Sequence, residues 1–125
     1  MKFTVEYPNN FITLRVSHPV ERFPVAFASL DVKTVDADWI GIDDFSGQVK
    51  IGVLCGLLRH PDFRGFGICK LLLDERISLA EGLGCSHVYT AVYYKREGLI
   101  NFYMGYGFEM LDPLSKEYVR LVMRL

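Results

Sequence analysis

The sequence predicts an α/β domain built on a mixed, mostly antiparallel sheet flanked by helices. Three observations predict it. Apolar and polar residues alternate with a period of two through much of the first half and again from Tyr118 to Leu125, the mark of half-buried strands. Between Ile51 and Tyr94 the pattern becomes strand, amphipathic helix, strand, which makes a right-handed parallel crossover and therefore a mixed sheet. The turn that joins the first of those strands to the helix, Arg64-Gly65-Phe66-Gly67, carries glycines where the chain must bend sharply.

Taken in order, Lys2 to Tyr7 alternates, with Phe3, Val5 and Tyr7 on one side, and Pro8-Asn9-Asn10 signals a turn before Ile12, Leu14 and Val16 alternate again. This reads as an opening hairpin. Ser17 to Pro24 is polar and holds Pro19 and Pro24, so it reads as a connection or at most a short helix. Pro24 to Lys33 is apolar enough for a strand, and Ala26 to Leu30 also fits a helical turn; the strand is favoured. Ala37 to Ile42 is a further short strand candidate ending at Asp43-Asp44, and after the turn Phe45 to Gln48 comes the Val, Ile and Leu-rich strand Val49 to Leu58.

From Ile68 to Leu83 the period becomes helical. Cys69, Leu72, Leu73, Ile77 and Ala80 form the apolar face, and Lys70, Asp74, Glu75, Arg76 and Glu81 the polar one. Gly82 and Gly84 mark its end. Ser86 to Tyr94 is a strand, Arg96 to Met104 a second helix ended by Gly105 and Gly107, and Phe108 to Leu111 a new strand. In the closing strand Val119, Leu121, Met123 and Leu125 are expected inward, with Arg120 and Arg124 outward.

The chain has 125 residues, enough for one domain with one core. A formal net charge of -1 argues against a nucleic-acid or polyanion binder, so partner choice falls to a local site. No apolar run approaches the ~20 residues of a membrane span, and the N-terminus lacks the basic-then-apolar order of a signal peptide, which leads to the expectation of a cytoplasmic protein. Cys55, Cys69 and Cys85 have no paired spacing and fit reduced thiols. His18, His60 and His87 are scattered without ligand spacing, so no metal site is expected.

The stretch His60 to Leu73 organises the rest. A strand that delivers a glycine turn to a helix N-terminus gathers unpaired N–H groups and the positive end of the helix dipole at one point, an arrangement suited to phosphate. Glycines there also serve simply as a tight connection. The Rossmann and Walker patterns are absent, for want of three spaced glycines and of a Gly-Lys-Ser/Thr end. What stands is Arg64-x-x-Gly67-x-Cys69. It resembles the acyl-CoA signature of the GCN5-related N-acetyltransferases, Arg/Gln-x-x-Gly-x-Gly/Ala, with Cys69 where Gly or Ala is usual. The segment Leu99 to Phe108 is similar to the same family's second motif, Ala-x-x-Phe-Tyr-x-x-x-Gly-Phe, with Leu99 in place of Ala. The two stand in the family's order, a helix and a strand apart.

The resemblance implies a sheet that splays near Leu57 to His60, with acetyl-CoA as cosubstrate. Pantetheine would lie along Leu58 and Arg59, and the pyrophosphate on the amides of Gly65, Phe66, Gly67, Ile68 and Cys69, with Arg64 beside it. Arg96 holds a position near CoA where an Asn is common in the family. Tyr103 falls where many members protonate the departing thiolate, although a tyrosine in a core helix needs no such role. The family normally places helices between its first two strands to wall the acceptor cleft; here only Ser17 to Pro24 is available, so the N-terminal helical region is reduced and the acceptor side either open or completed by a partner chain.

The function so implied is transfer of an acetyl group from acetyl-CoA to a primary amine of a protein or small molecule. That chemistry needs a neutral amine, a polarised carbonyl, which a backbone N–H near Leu58 or Arg59 could hold, and a proton for the thiolate. Base candidates are Asp43, Asp44, His60 and Asp62, none strong. Cys69 or Cys55 as nucleophile is a second enzyme reading, with no His-Asn/Asp constellation beside either. A non-catalytic binding module on the same fold is the alternative of another class. Of the strands at the two chain ends, Lys2 to Tyr7 and Tyr118 to Leu125, one could form an exposed edge for pairing in a homodimer.

Overall fold

The computed structural model describes residues 3–7, 13–42, 47–112 and 115–125. Alternating segments become the strands β1 (Thr4–Glu6), β2 (Thr13–Ser17), β3 (Pro24–Asp36), β4 (Gln48–Arg59), β5 (His87–Tyr93), β6 (Glu109–Leu111) and β7 (Tyr118–Arg124). They form one sheet in the order β1-β2-β3-β4-β5-β7-β6. Among these strands only β4 and β5 pair in parallel, because the helix α1 (Ile68–Gly82) carries the chain back across the sheet between them. The second helix, α2 (Glu97–Tyr106), follows β5.

Both helices lie on one face. Leu73, Ile77 and Ala80 of α1 and Ile100 and Tyr103 of α2 pack with Val88, Val92 and Leu121 of the sheet, while Ile68 and Leu72 close over Leu14, Val16 and Ala28. Fully burying side chains of this kind contributes roughly 1.5–3 kcal/mol each. The two helices are tied to each other where the Tyr106 hydroxyl donates to the Asp74 carboxylate. On the opposite face Ile51, Tyr89 and Val122 form a smaller cluster covered by Ile40.

That cover corrects one expectation. Ala37–Ile40 is a 3-10 turn, not a strand, ended by Gly41 in the left-handed region at φ 81°. β3 and β4 pair down to Asp36 and Gln48, so the chain beyond must leave the ladder, and it folds across the open face to bury Ala37 and Ile40. Arg120 is a second correction: it does not point to solvent but is 6% exposed. Its guanidinium packs over the rings of Trp39 and Tyr89, and it donates to the Tyr89 hydroxyl and to the carbonyls of Asp112 and Trp39. Arg76 is the third, placed on the polar face of α1 by periodicity yet 1% exposed. Finally, β7 is interior, between β5 and β6, so the sheet edges are β1 and β6.

Ser17 to Pro24 makes a tight connection. His18 N–H donates to the Phe23 carbonyl, and His18 Nδ1 accepts from the N–H groups of Val20 and Glu21. No helix stands between β1 and β2 among the described residues. The turn Pro8 to Asn10 and the carboxylates Asp43 and Asp44 lie outside the described residues.

Candidate active site

β4 and β5 are in register only at Ile51–His87, Gly52–Val88 and Val53–Tyr89. Beyond that point each strand keeps its outer neighbour, β4 through Phe27–Leu58 and Ala26–Arg59, β5 through Thr90–Leu121 to Tyr93–Tyr118. Their inner edges therefore part. Thr90 Oγ1 donates to the Leu54 carbonyl at 3.2 Å, bridging the strands where the ladder stops. The β3–β4 register shifts between Phe27 and Ser29, opposite a bulge in β4 where Gly56 takes φ 61°. A bulge of this kind adds twist and bends the strand, here away from β5.

The gap opens on a cleft of about 850 Å³ walled by the end of β4, the start of α1 and the start of α2. Four cations line it, Arg59, Arg64, Lys95 and Arg96, against the single carboxylate of Glu97. At its rim Gly65 and Gly67 hold φ of 79° and 73°, and a Cβ added to either would meet no atom within 4 Å. Their glycines thus serve backbone conformation, and the space above them is open to a ligand. Gly67 caps α1 with no side chain bonded to the first-turn amides, so those N–H groups remain as donors. Cys69 lines the cleft, and its Sγ accepts from Arg59 Nη1 at 3.2 Å.

A smaller cavity of about 220 Å³ sits at the splay itself. Leu57, Arg96 and Leu99 border both spaces, so the two lie side by side. Tyr103, 3% exposed, lines the inner cavity together with Arg76, Cys55, Gly56 and Thr90. Its ring is fixed against Phe102 and Phe108 at centroid distances of 5.5 and 5.1 Å.

Of the residues singled out in the sequence, Leu58, Arg59, Arg64, Cys69 and Arg96 come together in the larger cleft, and Arg96 and Tyr103 in the inner cavity. Phe66 and Ile68 turn their side chains elsewhere. The Phe66 ring meets Phe3 and Phe63, and Ile68 is buried against the β2–β3 cluster, which leaves their amides at the turn. His60 and Asp62 line neither space: His60 Nδ1 accepts the Asp62 N–H and so caps the short turn at Pro61–Phe63. Cys55 opens on the inner cavity, but desolvation by the surrounding strands, with Asp31 adding to it, pushes its thiol up from the ordinary value, which works against a nucleophilic thiolate. No histidine or carboxylate lines that cavity among the described residues.

Sequence reasoning missed Lys95, Gly56 and Arg76. Lys95 stands beside Arg96 in the turn before α2, where a basic pair was a usable signal; Gly56 inside an apolar strand was a signal for a bulge. Arg76 gave none.

The splayed parallel pair, the glycine turn on a helix N-terminus and the inner tyrosine coincide with a match to the Acetyltransferase (GNAT) family over residues 8–108. The chain belongs to that acetyltransferase family. Comparison with curated proteins gives no match. Among solved structures, the NatC complex bound to Gag peptide and CoA aligns with TM-score 0.72 at 16% identity, covering 91% of this chain and 71% of that one. NAA60 of Arabidopsis thaliana in complex with acetyl-CoA gives TM-score 0.72 at 18% identity over 90% of this chain and 76% of that one. PH1933 of Pyrococcus horikoshii OT3 gives 0.69 at 22%, covering 90% and 64%. The architecture is thus the splayed acyl-CoA N-acyltransferase fold. No helix among the described residues is long and apolar enough to cross a membrane.

Proposed function

We propose that the protein is an N-acetyltransferase that moves the acetyl group of acetyl-CoA directly to a primary amine on a protein or small molecule. The observation that carries this reading is the adjacency of the cation-lined cleft to the cavity that Tyr103 lines, with Leu57, Arg96 and Leu99 as their common wall. Bound acetyl-CoA supplies the activated acetyl thioester. The amides at the start of α1, with Arg64, suit its pyrophosphate, and Arg59, Lys95 and Arg96 add charge for the remaining phosphate. Free backbone edges of the parted strands suit the pantetheine amides.

Tyr103 supplies the proton for the departing sulfur. Tyr103 is itself buried, and the cavity it lines is bordered by Leu54, Val92 and Leu99 together with Arg76 and Thr90. The attacking amine enters neutral and gives its proton to solvent, since the cavity's described lining holds no carboxylate or histidine to act as a base. Tyr103→Phe is expected to lower turnover by ~100-fold or more while acetyl-CoA affinity stays nearly unchanged, because only the transition-state proton is lost. Thiol release measured across a panel of amines checks it. Unaltered turnover would remove Tyr103 from the mechanism, and CoA binding without acetylation of any amine would favour the binding module.

A further inference from the structure

Arg76 occupies a position that an apolar side chain would fill at lower cost. It lies on α1 beside Leu72, Leu73 and Ile77, with 1% of its surface exposed. A guanidinium taken so far from water costs several kcal/mol unless something compensates it. Its Nε donates to the Leu72 carbonyl at 3.2 Å and its Nη1 to the Ser29 carbonyl at 3.4 Å, which fix its direction but neutralise no charge. None of the ion pairs among the described residues includes it. What it does face is the inner cavity, with Tyr103 and Cys55. Burial draws the guanidinium down from its ordinary value, and the largest influence opposing that is the neighbouring Tyr103 hydroxyl.

We propose that Arg76 is the electrostatic partner of Tyr103, a fixed buried cation that stabilises the negative charge passing from the departing thiolate to the Tyr103 oxygen. The inference rests on the acetyl-CoA reading above. In the transfer the amine lone pair forms the C–N bond, the C–S bond breaks, and its electron pair goes to sulfur. The Tyr103 O–H proton moves to that sulfur and leaves a phenolate, which regains a proton from solvent as the nitrogen releases its own. The products are an amide and a thiol, with no net change in protons. Two anions follow each other beside a cation that is itself buried, where a nearby positive charge acts more strongly than it would in bulk water. Arg76 thereby works as a positioning and charge-balancing residue that acts through Tyr103.

The test compares CoA with desulfo-CoA, which lacks the sulfur, by calorimetry at mildly alkaline pH. Wild type is expected to bind CoA about tenfold or more tightly than desulfo-CoA, with proton release seen as a dependence of the heat on buffer. In Arg76→Met that preference is expected to fall to about unity while desulfo-CoA binding changes less than about twofold, and Arg76→Lys retains most of it. A preference that is absent in wild type, or that survives in Arg76→Met, overturns the proposal and leaves the acetyltransferase reading standing. Failure of wild type to bind either ligand overturns both. Should Arg76→Met not fold, Arg76→Lys decides: a folded lysine variant that loses the preference as completely as it loses turnover contradicts a role for charge. In turnover, the loss from Arg76→Met is expected to be smaller in the Tyr103→Phe background than in wild type, and fully additive losses count against the coupling.

Discussion

Gly67 joins two demands at one residue. It holds φ 73° to end the turn, and its missing side chain leaves the first-turn amides of α1 uncovered. Gly67→Asp therefore has two separable effects. The unliganded protein is expected to lose about 1 kcal/mol from the left-handed backbone. The added carboxylate then stands where a phosphate is proposed to sit, so CoA no longer raises the melting temperature, whereas at a hundredfold excess over Kd it stabilises wild type by about 2.7 kcal/mol. Thermal shifts measured against each protein's own baseline separate the two, and equal shifts in both would remove the glycine turn from CoA binding.

α1 and α2 are held together on their common face by apolar packing and by the Tyr106–Asp74 contact. The hydrogen bond from Tyr106 holds the Asp74 carboxyl below its ordinary value, with Lys70 assisting, while burial and then the Asp74 contact push the Tyr106 phenol up to about 12. Together the two shifts set a pH window. The Asp74 contribution is full above the unfolded carboxyl value of about 4 and is lost as pH falls through the lower folded value; the Tyr106 contribution is full below the unfolded phenol value of about 10 and fades as pH rises toward the folded one. Tyr106→Phe is expected to cost about 1 kcal/mol near neutrality and to flatten the stability profile at both ends. Urea unfolding from acid to alkaline pH measures this, and a variant whose loss is independent of pH would show that ring packing, not the hydrogen bond, is what matters.

At the scale of the whole molecule, the acceptor side is the distinctive part. The described residues include no helix between β1 and β2, and Leu58, Tyr93 and Tyr118 are exposed around the cleft and the inner cavity. The homodimer expected from the sequence would bring a second copy against this side through a two-fold contact. Sedimentation at micromolar concentration is expected to give a dimer. A strict monomer that acetylates amines well would sink the shared cleft and leave the chemistry intact.

Local pattern was enough for much of this architecture. Period-two alternation marked the strands, the shift to a helical period marked α1 from Ile68, and the glycines at 65 and 67 marked the turn, because each reflects backbone preferences acting over a few residues. Motif order along the chain was enough to bring Arg96 and Tyr103 to one cavity, although not Lys95 beside Arg96. Tertiary structure alone decided the rest. Ala37–Ile40 is as apolar as a short strand, and only the ladder's end at Asp36 and the uncovered face of the sheet made it a turn. Arg76 and Arg120 carry the same charge as any surface arginine, and what buried them was contact with residues distant in sequence, Ser29 and Tyr103 for one, Trp39 and Tyr89 for the other. The splay itself depends on where β4 and β5 stop pairing, a register between residues 36 apart at Ile51 and His87, and no local periodicity encodes a long-range register.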